Sequence, residues 1–442
     1  MARRRFSTLT AAMLVALLVA SGCTGEGGDE GGSATDRTDG PTVEPLWSTP
    51  LADGDDVDGL SHLVQTPQAW VTTDTVVFPD GETMRGVDVR SGAERWRVQP
   101  PEGTDQVCAY SERVNETDVG AVLFGKGFGS GEDSGVTCGT VAALDADSGD
   151  LLWQDDVSAE FDNGYSHEGD AVSVGEEVLT FVAFCGEVVR FDLQSGERLP
   201  TMLSADVQCT HEVAHNGQFV AVKNDPDGRI QELPERAREL GWIPEYDSGV
   251  GLAVYDSESG EQLLRQEIGT YDDVHRIVSN DPLILDLTVD DNRILQVFDD
   301  AGEPTHQLGD GGFPETLSPR GDLVRLDEGV ALIQHAGDPE LHAYDVATGE
   351  ELWARQWNEG GTPIGIRDGR VLAIGVEAGL PATVDPHLWA WDLRDATGRT
   401  DLGPFRSASD RIVGLFSVAW DEERMYLVHS QAEEIVAYPL PD

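Results

Sequence analysis

The sequence predicts an all-β chain, an eight-bladed β-propeller of four-stranded antiparallel blades whose last blade is closed by the N-terminal strand. Three observations predict it. A turn of the form Asp-x-x-Ser/Thr-Gly returns along the whole chain. Short apolar runs flank each turn, and helix-period stretches are nearly absent. The last unit stops one strand short, while an unclaimed strand stands at the front of the chain.

The chain opens MARRRFSTLTAAMLVALLVASGC: three arginines, an apolar run from Leu9 to Val19, then small residues before Cys23. Residues 1–22 read as a signal peptide, too short to span a membrane as a mature helix. Ala20, Ser21, Gly22 and Cys23 resemble a bacterial lipobox, with Ala20 where leucine is usual, which implies acylation of the Cys23 thiol. Arg3, Arg4 and Phe6 also fit the R-R-x-F core of a twin-arginine signal, so both export routes stay open. Residues 23–42 hold, apart from Cys23 and Pro41, no apolar residue larger than alanine and read as a flexible tether. Its reach is about 25 Å. Residues 43–442 remain for the propeller.

Charge narrows the partners. Against 82 acidic residues stand 29 basic ones, a net −53, and loss of Arg3, Arg4 and Arg5 with the leader takes it to −56. Nucleic acid and anionic lipid surfaces are therefore poor partners for the folded domain. Membrane contact is expected through the lipid anchor only, and the spread of acid along the chain reads as a solvated, salt-tolerant surface. Lys126 and Lys223 are the only lysines. Arginine in place of lysine, with abundant Ala, Gly, Asp and Val, implies a high-GC genome, and with the lipobox an actinobacterial origin.

The blades follow. In AALDADSGDLLW, Asp145, Asp147 and Asp150 crowd Gly149 in a pattern that looks like a calcium loop. Sister segments argue otherwise: Asp88, Gly92 and Trp96, then Asp192 and Gly196, Asp256 and Gly260, and Asp345, Gly349 and Trp353 keep only the first aspartate and the glycine of that pattern. Weaker copies stand at Asp299 and Asp392, and Pro439 takes the final aspartate's place. The steps between these positions are 57, 47, 64, 43, 46, 47 and 47 residues. A period of this size means a solenoid or propeller, and four short strands per unit make a propeller blade. The turn joins third and fourth strands: aspartate accepts hydrogen bonds from the turn backbone, and glycine takes the positive φ that closes it. The unit around Pro439 lacks room for its fourth strand, and EPLWSTPL, with Trp47 placed like Trp96, supplies it. Few edges then stay open.

Ala143, Asp145, Gly149 and Trp153, and again Ala343, Asp345, Gly349 and Trp353, resemble the tryptophan-docking repeat of the PQQ-like β-propellers. That family's usual fold is eight four-stranded blades. The resemblance runs from Glu44 to the end, although the units at Asp192, Asp256, Asp299 and Asp392 lack the tryptophan. It implies fold more than function, because the family includes quinoprotein dehydrogenases, assembly-scaffold lipoproteins and sensor domains.

Strand order puts the Asp-Gly turns on one face and the longer loops on the other. Those loops include Gly125–Gly135, Asn224–Gly249 with the helical fragment ELPERARELGW, and Glu377–Pro386. A binding site is expected on that elaborated face. Aligned starts of first strands place His62, Tyr110, His211 and His275 there, with His167 nearby, as a candidate ligand site at the channel mouth. His211 and His215 form H-x-x-x-H, which signals zinc only on a helix. Cys108, Cys138, Cys185 and Cys209 are even in number in an exported chain and read as disulfides, with Cys108–Cys138 and Cys185–Cys209 one of three connectivities.

The resemblance would admit a quinone enzyme, but no two cysteines are adjacent and no Asn, Glu and Asp set answers to that enzyme class's calcium. No cofactor is expected, PQQ included. The reading is a lipid-anchored, extracytoplasmic, monomeric propeller at the cell membrane. It is a non-catalytic binding or scaffold module whose partner, protein or small molecule, lies in the cell envelope. The alternative is a quinone- or metal-dependent oxidoreductase, or another small-molecule enzyme, working at the channel mouth.

Overall fold

The computed structural model describes residues 42–51, 69–80, 82–128, 135–158, 172–182, 188–200, 202, 211–224, 250–267, 273–289, 292–313, 323–334, 340–356, 362–375, 387–404, 416–429 and 434–440. All belong to one compact unit, residues 39–442. The leader, Cys23, the tether up to Pro41, His62, His167, Cys185, Cys209, the fragment ELPERARELGW and residues 129–134, 225–249 and 377–386 of the long loops lie outside the described residues.

The described residues hold strands and no α-helix, and the strands form eight antiparallel sheets. Blade 1 runs from Trp70–Val71 to Glu94–Val98, blade 2 from Gln106–Tyr110 to Leu151–Asp156, and blade 3 from Val172–Val174 to Val188–Asp192. Blade 4 spans His211–His215 to Gln262–Glu267, blade 5 Asp273–Asn280 to Pro304–Phe313, and blade 6 Leu323–Asp327 to Glu351–Gln356. Blade 7 spans Thr362–Arg367 to Thr400–Pro404. Blade 3 shows three strands, and its fourth is reduced to a bridge between Phe191 and Arg198. Blade 8 has the order Trp47–Pro50, Glu434–Pro439, Arg424–His429, Phe416–Trp420, so the N-terminal strand is its outermost member. Trp47 pairs with Ala437 and Pro50 with Glu434.

Alternating side chains on each strand point toward the two neighbouring blades, so apolar residues gather in the seams between sheets. Among the described residues eight buried clusters result, each joining one successive pair of blades. Phe124 and Trp70 share the seam of blades 1 and 2, Phe181 and Leu123 that of blades 2 and 3, and Trp47 and Phe78 the seam that closes blade 8 onto blade 1. Among the described residues the smallest cluster is Val188, Val220 and Val222, between blades 3 and 4.

Each hairpin turn is held by its aspartate. Asp145 Oδ1 accepts from Asp147 N at 3.0 Å and Ser148 N at 2.8 Å, and Asp88, Asp192, Asp256 and Asp345 accept in the same way from the residue three places on. The Ser91 and Ser195 hydroxyls add a bond each, which holds the Asp88 and Asp192 carboxyls below the usual range. Gly149 closes its turn at φ +77°, and a Cβ there would stand 2.5 Å from the Trp96 ring. In the Asp392 turn Ala396 takes that place at φ 55°.

The same turns receive the docking side chain of the preceding blade. Trp47 Nε1 donates to Val89 O at 2.9 Å, Trp96 to Asp147 O at 3.1 Å, Trp153 to Leu193 O at 2.7 Å and Trp353 to Leu393 O at 2.7 Å. Units without the tryptophan use other groups. His306 Nε2 sits 2.9 Å from Val346 O, and Gln266 Nε2 donates to Gly302 O at 3.2 Å. The buried Arg190 guanidinium donates to Ser257 O at 2.7 Å and Glu258 O at 3.2 Å, and to Pro200 O of its own blade at 2.8 Å. A disulfide joins Cys108 of the first strand of blade 2 to Cys138 of its third, with Cα atoms 5.8 Å apart.

Candidate functional site

A pocket of about 320 Å³ opens where the first strands of blades 2 to 6 end. Its polar lining comes from Ser111, Glu112, Arg113, Ser173, His215, Asn216, Ser279 and Asn280, and its apolar wall from Val172, Val174, Ile277, Val278 and Leu326. These positions lie at the hairpin-turn end of the channel: His215 pairs with Val220, one residue from Phe219, which faces the turn residue Asp256.

The inner hairpins around the pocket bond to one another. Asn115 Oδ1 accepts from Val119 N at 2.9 Å to shape the first hairpin, and its Nδ2 reaches Glu176 O of blade 3 at 3.1 Å. Arg113 Nη2 donates to Asn216 O of blade 4 at 3.2 Å. Asn216 Nδ2 donates to Asn280 Oδ1 of blade 5 at 2.8 Å, and Asn280 Nδ2 returns a bond to Gln218 Oε1 at 2.6 Å. The hairpins of blades 3 and 4 touch backbone to backbone, since a Cβ at Gly217 would stand 2.1 Å from Val174 O. Beneath this lacing the buried Ser173 Oγ and His215 Nδ1 share a hydrogen bond of 2.5 Å. Buried Ser111 donates to Arg113 O at 2.8 Å and accepts from Ala121 N at 3.1 Å, while Trp70 Nε1 donates to Ser111 O at 2.6 Å.

The sequence places a candidate site on the elaborated face, whereas this pocket lies at the other end of the channel. Of the candidate channel-mouth residues, His211 opens the first strand of blade 4 opposite Asn224. His275 falls at a register shift between Val274 and Arg276, one step farther along, and its Nε2 meets Thr288 Oγ1 at 2.8 Å. Burial of the ring and the nearby Arg293 hold it below the usual imidazole range, although it keeps an exposed edge. Tyr110 pairs with Val122 and shares its register with Val213 instead of His211. Its ring packs edge-on against Trp70 in the seam of blades 1 and 2, with centroids 5.9 Å apart. The structure therefore does not bring Tyr110 together with His211 and His275. His211 and His215 stand at opposite ends of one strand, about 13 Å apart at the usual rise per residue. Among the described residues no three His, Cys, Asp or Glu side chains are grouped to hold a metal ion.

Nor do the aspartates of the calcium-like segment converge. Asp145 caps its turn, and Asp147 accepts a hydrogen bond from the Thr72 hydroxyl of blade 1. Arg113, Asn216 and Asn280 were not singled out by the histidine alignment. Their signal in the sequence is asparagine recurring just after the first strand, at Asn115 and Asn216.

Fold and repeat together define the class: this is an eight-bladed β-propeller whose repeat resembles that of the PQQ-like propellers. A family described as "Outer membrane protein assembly factor BamB" matches residues 37–243. No curated protein matches the chain. Among solved structures, the computationally designed protein Ika8 aligns at 12% identity with a TM-score of 0.52, covering 85% of this chain and 96% of its own. BamB from Moraxella catarrhalis aligns at 12% identity and a TM-score of 0.50, over 90% of this chain and 100% of its own. The C-terminal WD40 domain of Sif2 gives 10% identity and a TM-score of 0.50, over 91% and 99%. At such identities the likeness is one of fold.

Proposed function

We propose that the chain is a lipid-anchored, extracytoplasmic propeller that serves as a non-catalytic binding or scaffold module of the cell envelope. The observation that carries this reading is the match of residues 37–243 to a family whose description names an assembly factor. The leader and the lipobox at Cys23 support the location, since acylation there would hold the ring at the outer leaflet by its tether. One acyl chain gives marginal anchoring, and diacylation of the kind a lipobox implies gives a stable one. Multi-blade rings offer two broad faces of loops to a protein partner.

Two measurements test it. Cys23→Ser should move the protein from the membrane fraction to the medium, and retention on the cell would end the anchoring part. Crosslinking in native membranes, followed by purification, should recover a stoichiometric envelope protein, and recovery of the bare propeller alone would end the scaffold part.

A further inference from the structure

We infer that the pocket at the hairpin-turn end of the channel is a binding site for a small monocarboxylate with a compact apolar body. This goes beyond the scaffold reading and stands independently of it. The wall of Val172, Val174 and Ile277, all under one-tenth exposed, continues into Val278 and Leu326 and offers an aliphatic surface to an uncharged body. About 320 Å³ lies at the lower end of the range for small-molecule sites, roughly 300–1,000 Å³.

The other side of the same pocket presents Arg113. One of its five N–H donors is used by Asn216 O, which fixes the side chain across the hairpins of blades 2 and 4. The other four make no hydrogen bond to a described residue, enough for a two-point grip on a carboxylate. The Ser279 hydroxyl on the lining also makes no hydrogen bond with a described residue and is available as a donor. Asn216 and Asn280 each donate one amide N–H to the other's hairpin, at Asn280 Oδ1 and Gln218 Oε1, and so brace the rim beside Arg113 and Ser279. Glu112 is the acidic residue on the lining and is exposed to solvent. The net charge of −53 does not forbid an anion here, since charges farther off than about 8–10 Å are largely screened at physiological salt.

The test is calorimetric titration of the purified protein with 3-phenylpropionate, with 3-phenylpropan-1-ol and acetate as controls lacking the anion and the body respectively. The expected result is saturable binding of the acid at one site, with both controls at least about tenfold weaker. Arg113→Ala should weaken the acid by about tenfold or more, Arg113→Lys should restore part of it, and Ser279→Trp should block it. Arg113 and Ser279 lie outside the buried core, so melting curves should match the parent and separate lost binding from lost fold. No saturable heat up to about 10 mM, a control that binds as well as the acid, or an Arg113→Ala variant of unchanged affinity would each overturn the site.

Discussion

His306 Nε2 lies 2.9 Å from Val346 O, the docking place that Trp153 and Trp353 fill in other seams with an indole N–H. Imidazole thus substitutes for indole at the junction of blades 5 and 6, and its ring lies over the Gly349 turn. His306→Ala removes a partly buried hydrogen bond and the ring packing, and is expected to lower unfolding free energy by about 1–2 kcal/mol. His306→Trp should stay within about 1 kcal/mol of the parent. Denaturant midpoints compare the two, and an alanine variant as stable as the parent would dismiss the docking role.

Arg190 carries more of its seam. Its guanidinium bonds two carbonyls across a junction where the apolar cluster is small and a third, Pro200 O, on its own blade, and burial pushes its pKa down. Arg190→Ala strands those carbonyls and leaves a void, with an expected loss of about 2–4 kcal/mol. Lysine cannot reach three acceptors with the same planar fork, so Arg190→Lys should recover less than half of it. Full recovery by lysine would show that charge alone matters.

The turn aspartates give a pH signature. Asp192 titrates below its ordinary 3.8 because the Ser195 hydroxyl and backbone bond the carboxylate. A depressed folded pKa adds stability that is present above about pH 3.8 and disappears as pH falls through the folded value. In Ser195→Ala the Asp192 midpoint should rise toward 3.8, followed by carboxyl carbon NMR. An unmoved midpoint would assign the shift to something other than the hydroxyl.

The disulfide is a further handle. Cys108 and Cys138 are 30 residues apart, and closing a loop of that size in the unfolded chain is worth about 3–4 kcal/mol in the loop-entropy picture. The double variant Cys108→Ser with Cys138→Ser should melt lower by several degrees, read by calorimetry in the absence of reductant. An equal melting temperature would place the bond outside the cooperative unit.

The ring was legible in the sequence because its turns need particular atoms. Only a short acceptor such as Asp145 can cap the hairpin, and the residue at Gly149 must take a positive φ, so both positions recur. The missing fourth strand of the last unit likewise gave Trp47 its place. The seams without tryptophan were not legible: Arg190 and His306 sit in unremarkable strand sequence, and only the facing blade gives them their acceptors. Aligning first strands on their asparagines misplaces Tyr110, because blade 2 carries two more residues between Tyr110 and Asn115 than blade 4 carries between the register-equivalent Val213 and Asn216. The polar pocket stayed hidden for a related reason. Arg113 and Asn216 lie 103 positions apart in the chain, and only the closed ring brings them together.

The eight buried clusters have a consequence for how the molecule tolerates change. A globule with one core transmits a defect everywhere, whereas here each apolar cluster joins one pair of adjacent blades, so the packing contribution to stability sums over nearest-neighbour junctions. Damage at Val188 and Val220 is therefore felt first in the blades on either side of that junction. Such a modular ring can drift in the loops of one sector while its distant sectors keep their form.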